Sequence, residues 1–331
     1  MKKTLGIGNA LVDILISLDN DVILEQLNLP KGSMQLVDKI RSDEVLSVLK
    51  EKKRTIAAGG SAANTIHGLA KLGAPTGYIG VIGEDEFGGH FVKDMINAGV
   101  EPHMIHSRNE TGRAVALISP DQERTFATYL GAAIELSASH LLSGDQHGGP
   151  GVFSKYDILH LEGYLVLNHE LVRKAVSQAK KNGLLVSLDL SSYNVVEANL
   201  DFLREIIHDY VDIVFANEEE AKAFTGREPV EAVEEISRHC HIAIVKTGRT
   251  GSLVRSEKKT HEVGIIPVRP VDTTGAGDLY ASGFLFGLAN GKPLPECGKM
   301  GALLAGNVIE FIGPKMPEPR WNIIREQISG T

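Results

Sequence analysis

The feature that most constrains the fold is an alternation of short apolar runs with longer amphipathic stretches, separated by glycines. Three runs have the length and apolar content of buried strands: residues 184–190, 211–217 and 241–248. Helical patterns occupy three stretches: about 169–182, 230–239 and 278–290. A further helix, after residue 217, is expected to end at Gly226. Strands that alternate with helices form a mostly parallel sheet covered on both faces, so the predicted class is α/β.

Two regions interrupt this alternation. Residues 14–55 carry the partly alternating pattern of half-exposed strands, and residues 111–130 contain two β-rich runs around a turn at 119–122. Antiparallel strands inserted in an α/β chain predict a small accessory sheet. Residues 143–151 are expected to form a flexible loop, and residues 313–319 a proline-rich connection at the surface.

The composition limits the partners. A chain of 331 residues corresponds to about two domains. Its 34 basic and 42 acidic residues give a net charge of −8, so we expect neither nucleic acid nor a membrane as partner, and any phosphate must be held locally. No apolar run is long enough to predict a spanning helix. Two cysteines cannot form a disulfide framework, which fits a cytoplasmic protein.

The most informative segment is VDTTGAGDLYASGFLFGLANG, residues 271–291. Gly275 and Gly277 allow the main chain to turn closely, so that N–H groups converge at the start of the helix that Asp278 opens. Such a turn suits the charge of a transferring phosphoryl group. An acidic first-turn residue often only complements the helix dipole. Beside an anion cradle, however, Asp278 is better explained as a base that faces an acceptor hydroxyl.

Three further segments each allow two interpretations. Gly59 and Gly60 precede either a Ser61 N-cap or a site where main-chain amides and Asn64 bind a polyol or ribose. Asp13 lies between apolar runs, where a carboxylate needs strong donors, either sugar hydroxyls or backbone N–H groups. Arg124, on the predicted hairpin, is either solvated or a phosphate clamp.

The segment NEEEA, residues 217–221, forms a capping box between Asn217 and Glu220 or orients water on a nucleotide-bound Mg²⁺, and the two roles are compatible. The run from Gly6 to Leu11 begins like a dinucleotide fingerprint, but leucine stands where the third glycine belongs. An NAD-dependent dehydrogenase is therefore the weaker hypothesis. A non-catalytic nucleotide- or sugar-binding regulator is another, although such a protein has no need of the Asp278 base.

Three motifs in fixed order resemble those of the ribokinase-like (PfkB-type) family of sugar and nucleoside kinases: GGSAANTIHGLAKLG (59–73), IGVIGEDEFG (79–88) and DTTGAGD (272–278). The resemblance extends over essentially the whole chain. Four other segments look most like the adenosine-kinase-like branch: GNALVDI (8–14), KGSMQLVD (31–38), ERTFATYLGAA (123–133) and NEEEA (217–221).

This resemblance implies a three-layer αβα core with a mostly parallel sheet and a small β-sheet lid. The large domain is expected to comprise residues 1–13, 56–107 and 132–331, and the lid residues 14–55 and 108–131. The implied activity is ATP- and Mg²⁺-dependent phosphorylation of a primary hydroxyl of a ribose-containing acceptor, adenosine first, with a free-sugar kinase as the alternative. The expected assembly is a monomer or homodimer.

The resemblance also implies roles for residues. Asp278 is expected to be the general base, and the anion hole to consist of the amides of Gly275, Ala276 and Gly277. The acceptor residues would be Asp13, Gly59, Gly60 and Asn64, with Tyr164 stacking on a purine. The nucleotide residues would be Asn217, Glu220, Thr247, Gly248 and Gly251, with Glu220 serving Mg²⁺ through water. Arg124 would reach from the lid to the developing charge, and Asp272 and Thr274 would lie at a K⁺ site.

Two residues depart from the adenosine-kinase-like pattern. Ile134 stands where that branch commonly has asparagine, which removes a polar contact near the acceptor or the lid. Asp189 likewise replaces an asparagine, so acceptor or nucleotide contacts are expected to differ there.

Overall fold

The computed structural model describes residues 1–121, 123–141 and 150–329. Its strands in chain order are β1 (Thr4–Ile7), β2 (Leu11–Ser17), β3 (Met34–Leu36), β4 (Arg54–Gly59), β5 (Thr76–Gly83), β6 (Val100–Ser107), β7 (Gly112–Ile118), β8 (Arg124–Tyr129), β9 (Ile158–Glu162), β10 (Leu185–Asp189), β11 (Ile213–Asn217), β12 (Ile242–Lys246), β13 (Ser252–Ser256) and β14 (Lys259–Val263).

The helices are α1 (Val22–Gln26), α2 (Lys39–Val48), α3 (Ser61–Lys71), α4 (Glu86–Ala98), α5 (Pro150–Phe153), α6 (His169–Lys181), α7 (Tyr193–Ala198), α8 (Leu200–Tyr210), α9 (Glu218–Thr225), α10 (Pro229–Ile236), α11 (Ala276–Ala289), α12 (Leu294–Val308) and α13 (Glu318–Ser329). Short 3₁₀ turns lie at Gly131–Glu135, Gly163–Leu167 and Gly248–Thr250. No helix in the described ranges is long and apolar enough to cross a bilayer.

The large sheet has nine strands in the order β14-β13-β12-β11-β10-β9-β1-β5-β6. From β6 to β12 every neighbouring pair is parallel, while β13 and β14 add an antiparallel edge. The chain builds outward from β1 in both directions, which makes the ends of β1 and β9 a topological switch point. Open α/β sheets bind their ligands at such points, outside the carboxyl ends of the strands.

Buried side chains fill a core on each face of this sheet. One cluster packs β-strand residues such as Tyr78 and Phe215 against α3, α11, α12 and α13. The other packs Leu5, Val186 and Val214 against α6, α8, α9 and α10. Because strands covered on both faces are apolar throughout, their sequences form continuous runs, as in β10 and β11. The predicted α/β class and three-layer arrangement are confirmed.

The predicted elements of the second half are also confirmed. The three predicted strands are β10, β11 and β12, and the three predicted helices are α6, α10 and α11. Helix α9 ends where Gly226 takes a left-handed φ of 71°.

The small sheet has five strands in the order β3-β8-β7-β2-β4. The predicted hairpin is the antiparallel pair β7–β8. The expected domain boundaries at 13–14 and 55–56 fall inside strands, because β2 begins at Leu11 and β4 ends at Gly59. The division into two domains stays a prediction.

The strands expected within residues 14–55 are confirmed, since β2, β3 and β4 belong to the small sheet. Residues 14–55 include the helices α1 and α2 as well as strands. Helix α2 is anchored by the buried Arg113 of β7, whose Nε donates to Ser42 at 2.8 Å and whose guanidinium pairs with Asp43. Polar anchoring of this kind leaves no apolar stripe in the sequence. The loop predicted at 143–151 lies mostly outside the described residues.

The predicted surface connection at 313–319 is wrong over its first half. Gly313, Pro314 and Met316 are buried. The segment packs between the small sheet and the start of α11: Gly313 faces Leu15, and Pro314 lies against Gly275. It is part of the framework of the cleft between the two sheets.

Candidate active site

A deep cleft of about 2180 Å³ lies between the small sheet and the carboxyl ends of the large sheet. Pockets for one drug-sized ligand measure about 300–1,000 Å³, so this cleft has room for two small molecules. Most of the predicted site residues line it: Asp13, Gly60, Asn64, Arg124, Tyr164, Asn217, Glu220, Gly248, Gly251, Thr274, Ala276, Gly277 and Asp278. The others, Gly59, Thr247, Asp272 and Gly275, are adjacent to lining residues in the chain.

The glycine turn at the start of α11 forms the middle of the cleft. Gly275 has a left-handed φ of 72°, and a Cβ there would come within 2.6 Å of the Pro314 Cβ, so only glycine fits. The N–H of Ala276 donates to the Thr273 carbonyl at 3.2 Å. Within the described ranges the N–H groups of Gly275 and Gly277 have no protein acceptor. The anion hole expected from the amides of Gly275, Ala276 and Gly277 stays a prediction, and the Ala276 amide is the one of the three that has a protein acceptor in the described residues.

The carboxylate of Asp278 is held from one side by α3. Ser61 Oγ donates to its Oδ1 at 2.7 Å, and Asn64 Nδ2 donates to its Oδ2 at 3.0 Å. Burial raises the pKa of Asp278 to about 6, against the two hydrogen bonds, which lower it. Such a group is mostly ionised at neutral pH, yet close enough to its pKa to accept a proton.

The Asp278–α3 geometry depends on close packing of α3 on α11. A Cβ on Gly68 would meet Ser282 Oγ at 2.4 Å, and Ser282 Oγ donates to the Thr65 carbonyl at 2.8 Å. The N-cap of α3 is Gly60, not Ser61. The capping interpretation of Ser61 is therefore wrong, because its hydroxyl is used by Asp278 instead.

Asp13 faces the cleft from β2, beside the glycines that end β4. A Cβ on Gly59 would come within 2.3 Å of Asp13 Oδ1, so glycine is required to leave room for the carboxylate. Gly60 has φ 98°, and a Cβ there would meet the Asn9 carbonyl oxygen at 2.2 Å. Burial raises the pKa of Asp13 to about 7, partly offset by Lys315. The carboxylate therefore lacks the strong protein donors that would fully offset its burial.

Arg124 joins the small sheet to the loop before α11. Its Nη1 lies 2.8 Å from Asp272 Oδ1, and its Nη2 donates to Thr273 Oγ1 at 3.3 Å. The Asp272 carboxylate also accepts from the N–H groups of Thr274 at 2.6 Å and Gly313 at 2.7 Å. Arg124 balances the charge of Asp272, while Thr274 Oγ1 is buried and has no hydrogen-bond partner among the described residues. A K⁺ site at Asp272 and Thr274 stays a prediction.

The capping box is confirmed at the start of α9. Asn217 Oδ1 accepts from Glu220 N, while the Glu220 carboxylate accepts from Asn217 N and Nδ2, each at 2.8 Å. Burial raises the pKa of Glu220, against the nearby charge of Lys246. Both residues line the cleft, and their oxygens are the hard ligands that Mg²⁺ accepts directly or through water. The set fits water-mediated binding of Mg²⁺.

Thr247, Gly248 and Gly251 form a tight turn after β12. Thr247 N–H donates to the Gly251 carbonyl at 2.8 Å, so this residue closes the turn instead of lining the cleft. Gly251 has φ 106°, and a Cβ there would come within 2.0 Å of the Val263 carbonyl oxygen. Beyond the turn the wall is apolar and consists of Ile265, Ile266, Val268, Ala302, Ala305, Gly306 and Ile309.

The opposite end of the cleft, near the small sheet, has a second apolar wall: Leu11, Met34, Leu36, Phe126, Ile134, Leu165 and Leu167. Ile134 and Leu167 are each 65% exposed. Tyr164 lies here with its hydroxyl on the Ser191 carbonyl at 3.3 Å. The stacking role expected for Tyr164 stays a prediction.

The structure adds residues that the sequence analysis missed. Glu162, at the end of β9, accepts from Asn9 N at 2.9 Å, Asn9 Nδ2 at 2.6 Å and Ala62 N at 2.9 Å, and so ties β1 to α3. Burial raises its pKa to about 7. Lys246 pairs with Asp189 at 3.0 Å near the glycine turn. Asn9 lies in the segment that also begins like a dinucleotide fingerprint, and Asp189 was a noted departure from the adenosine-kinase-like pattern. For Glu162 and Lys246 the sequence gave no signal.

Residues 32–321 match the family described as pfkB family carbohydrate kinase. The chain belongs to this family. Adenosine kinase of Saccharomyces cerevisiae is 28% identical over 95% of this chain and 96% of its own length. Among solved structures, a probable sugar kinase from Rhizobium etli has a TM-score of 0.88 at 33% identity, covering 99% of this chain and 98% of its own. Adenosine kinase from Sinorhizobium meliloti has a TM-score of 0.87 at 34% identity, covering 98% and 99%.

This pfkB-family protein is a kinase, and the ribokinase-like fold expected from the three motifs is confirmed. The regulator and dehydrogenase hypotheses are set aside. The site carries a carboxylate beside free amides, which a phosphotransferase needs, and the fold is not that of a dinucleotide-dependent enzyme.

Proposed function

We propose that this kinase transfers the terminal phosphoryl group of ATP to the primary hydroxyl of a ribose-containing acceptor, with adenosine as the preferred one. The observation that carries the proposal is the position of the Asp278 carboxylate in the first turn of α11, one residue after the free amide of Gly277. A base and an anion cradle in one turn bring the acceptor oxygen and the phosphoryl group together.

In the mechanism, Ser61 and Asn64 orient the Asp278 carboxylate so that it takes the proton of the acceptor hydroxyl. The acceptor oxygen then bonds to phosphorus while the bond to the leaving oxygen of the nucleotide breaks. The amides of Gly275 and Gly277, at the positive end of α11, bind the charge on the transferring group. Asn217 and Glu220 would hold Mg²⁺ through water, and the ion supplies charge neutralisation on the nucleotide phosphates.

The acceptor is proposed to lie under the small sheet. Asp13 has a raised pKa and accepts well from vicinal hydroxyls, and Asn64 and the Gly60 main chain complete the polar side. The second apolar wall, which includes Leu36 and Leu167, favours an acceptor that carries a flat base. A free sugar has no apolar surface that could cover this wall. The proposal thus favours a nucleoside over ribose or fructose.

A free-sugar kinase is the second candidate, since a probable sugar kinase is among the structures most similar to this chain. A coupled assay of ADP release over a panel of nucleosides and sugars separates the two. We expect turnover with adenosine at the lowest acceptor concentration. Turnover on ribose or fructose with none on nucleosides would overturn the adenosine assignment and leave the kinase assignment in place.

The role of Asp278 has its own test. Asp278→Asn keeps the side chain's size and its contact with Ser61, but it removes the proton acceptor. We expect kcat to fall by about two to four orders of magnitude, the range for losing a positioned acid–base group. Acceptor affinity, measured by calorimetry, should change less than threefold. A variant with near-wild-type turnover would contradict the role.

We further propose that the protein is cytoplasmic and acts on small molecules as a monomer or homodimer. Both cysteines, Cys240 and Cys297, are unpaired thiols, which supports a reducing compartment. Gel filtration with light scattering measures the assembly.

A further inference from the structure

Lys246 places a positive charge beneath the glycine turn. It is the last residue of β12, and its Nζ lies 3.0 Å from the point where a Cβ on Gly277 would stand. The missing side chain of Gly277 therefore opens the space between the ammonium group and the free amides. Lys246 also lines the cleft, with a side chain only 15% exposed.

Asp189 holds this ammonium group in place. Its Oδ2 lies 3.0 Å from Lys246 Nζ, and its Oδ1 accepts from Ser191 N at 2.8 Å, so the carboxylate is fixed at both oxygens. Across the part of the chain that the structure describes, Asp189 is the one hydrogen-bond partner of the Lys246 ammonium group. A lysine ammonium has three N–H donors, which leaves two for a ligand.

The local charge balance calls for a cation at this point. Three carboxylates, those of Asp189, Glu220 and Asp278, act on Lys246, and they more than offset the burial that would lower its pKa. A phosphoryl group adds further negative charge to the same low-dielectric site. Positive groups there stabilise the transition state more than they would in water. A purely structural ion pair would gain nothing from lying beneath the free amides.

We propose that Lys246 is a catalytic residue that donates a hydrogen bond to the transferring phosphoryl group, and that Asp189 is its positioning residue. This rests on the proposed phosphoryl transfer. Lys246 keeps its protons throughout, because the acceptor proton goes to Asp278 while one P–O bond forms and the other breaks. The proposal also explains the departure at Asp189: asparagine could not balance the buried ammonium group.

Lys246→Met tests the proposal, with Lys180→Met as the matched control. Lys180 also pairs with a mostly buried aspartate, Asp212. This pair lies at the amino end of β11, whereas Lys246 lies at the carboxyl end of β12. We expect Lys246→Met to lower kcat about 10²- to 10³-fold, as loss of a preorganised donor to the transition state does, with the acceptor KM changed less than threefold. Lys180→Met should stay within twofold of the wild type in both parameters.

A binding measurement separates this role from a structural one. Calorimetry should show that Lys246→Met weakens the affinity for ATP at least tenfold, which is the range for a hydrogen bond to a charged group. The affinity for ADP, which lacks the transferred phosphoryl group, should change less than threefold. Equal effects on ATP and ADP, or none on either, would overturn the proposal. If the wild type has no turnover with any acceptor, the proposed function fails, and the ATP-to-ADP comparison still decides the role of Lys246.

A double variant that removes the charges of both Asp189 and Lys246 is the control for loss of folding. Asp189→Asn with Lys246→Met removes both members of the ion pair, so the double variant should melt closer to the wild type than Lys246→Met does. If Asp189 acts only through Lys246, then Asp189→Asn lowers kcat about tenfold alone and adds nothing in the Lys246→Met background. Additive losses would contradict the positioning role, and wild-type kcat in the double variant would contradict the catalytic one.

Discussion

Replacing Ser61 by alanine should move the pH dependence of turnover, because its hydroxyl bonds directly to the base. Ser61 Oγ donates to Asp278 Oδ1 at 2.7 Å, and this bond stabilises the ionised carboxylate. Burial raises the pKa of Asp278 to about 6, and the hydrogen bonds from Asn64 and Ser61 keep it from rising further. Without the hydroxyl, the proton binds more tightly and the base is lost at higher pH.

The size of the effect follows from the hydrogen bond. A hydrogen bond to a charged group contributes about 1.5–3 kcal/mol, and one pKa unit corresponds to about 1.4 kcal/mol. Because Asp278 borders the cleft, water will recover part of the lost bond, so we expect a shift of about 0.5–1 unit. At pH 6 the ionised fraction then falls from about one half to about 10–25%, while at pH 8.5 both proteins are almost fully ionised.

The assay is kcat/KM against pH from 5 to 9, for wild type, Ser61→Ala and a control, Thr65→Val. Thr65 lies one turn further along α3, and its hydroxyl donates at 3.2 Å to the Asp278 main-chain carbonyl instead of the carboxylate. The acidic limb should move upward in Ser61→Ala alone. An unchanged midpoint, or an equal shift in Thr65→Val, would refute the assignment of Asp278 as the titrating base.

Other substitutions test the rest of the cleft. Gly59→Ala would put a Cβ 2.3 Å from Asp13 Oδ1, so it should raise the acceptor KM about tenfold or more, with a smaller effect on kcat. Asp13→Asn should have the same effect. A change in kcat alone would contradict this role. Arg124→Met leaves Asp272 with only main-chain donors, so the free energy of unfolding in denaturant should fall by about 1–3 kcal/mol, and kcat should also fall. Unchanged stability would mean that the ion pair does not form in solution. Gly275→Ala combines a φ of 72° with a contact to Pro314 at 2.6 Å, so we expect a lower melting temperature together with loss of turnover. A variant with the wild-type melting temperature and turnover would contradict the requirement for glycine.

The sequence predicted those parts of the site that depend on local geometry. The glycine turn before Asp278 and the capping box of Asn217 and Glu220 are encoded within a few residues, so their shapes follow from residue type. The α/β class followed for a similar reason, since the buried strands β10 and β11 are mostly apolar and lack the alternation of a half-exposed strand.

What the sequence did not predict depends on contacts between distant segments. Lys246 lay within the predicted strand 241–248 with no role assigned, because only the neighbouring strand β10 brings Asp189 beside it. The segment of Ser61 allowed a helix cap or an acceptor site, because only the packing of α3 on α11 reveals that its hydroxyl bonds to Asp278. Lys315 lay in a predicted surface connection, but burial lowers its pKa to about 8 beneath Asp13. No local pattern encodes these contacts.

The contacts of Asp272 explain how the small sheet acts on the chemistry without touching Asp278. One carboxylate connects Arg124 of the small sheet, the entry to α11 and the buried segment that begins at Gly313. That segment also places Pro314 against Gly275, which fixes the left-handed turn of the anion cradle. The position of the small sheet and the shape of the cradle are therefore linked through one buried carboxylate.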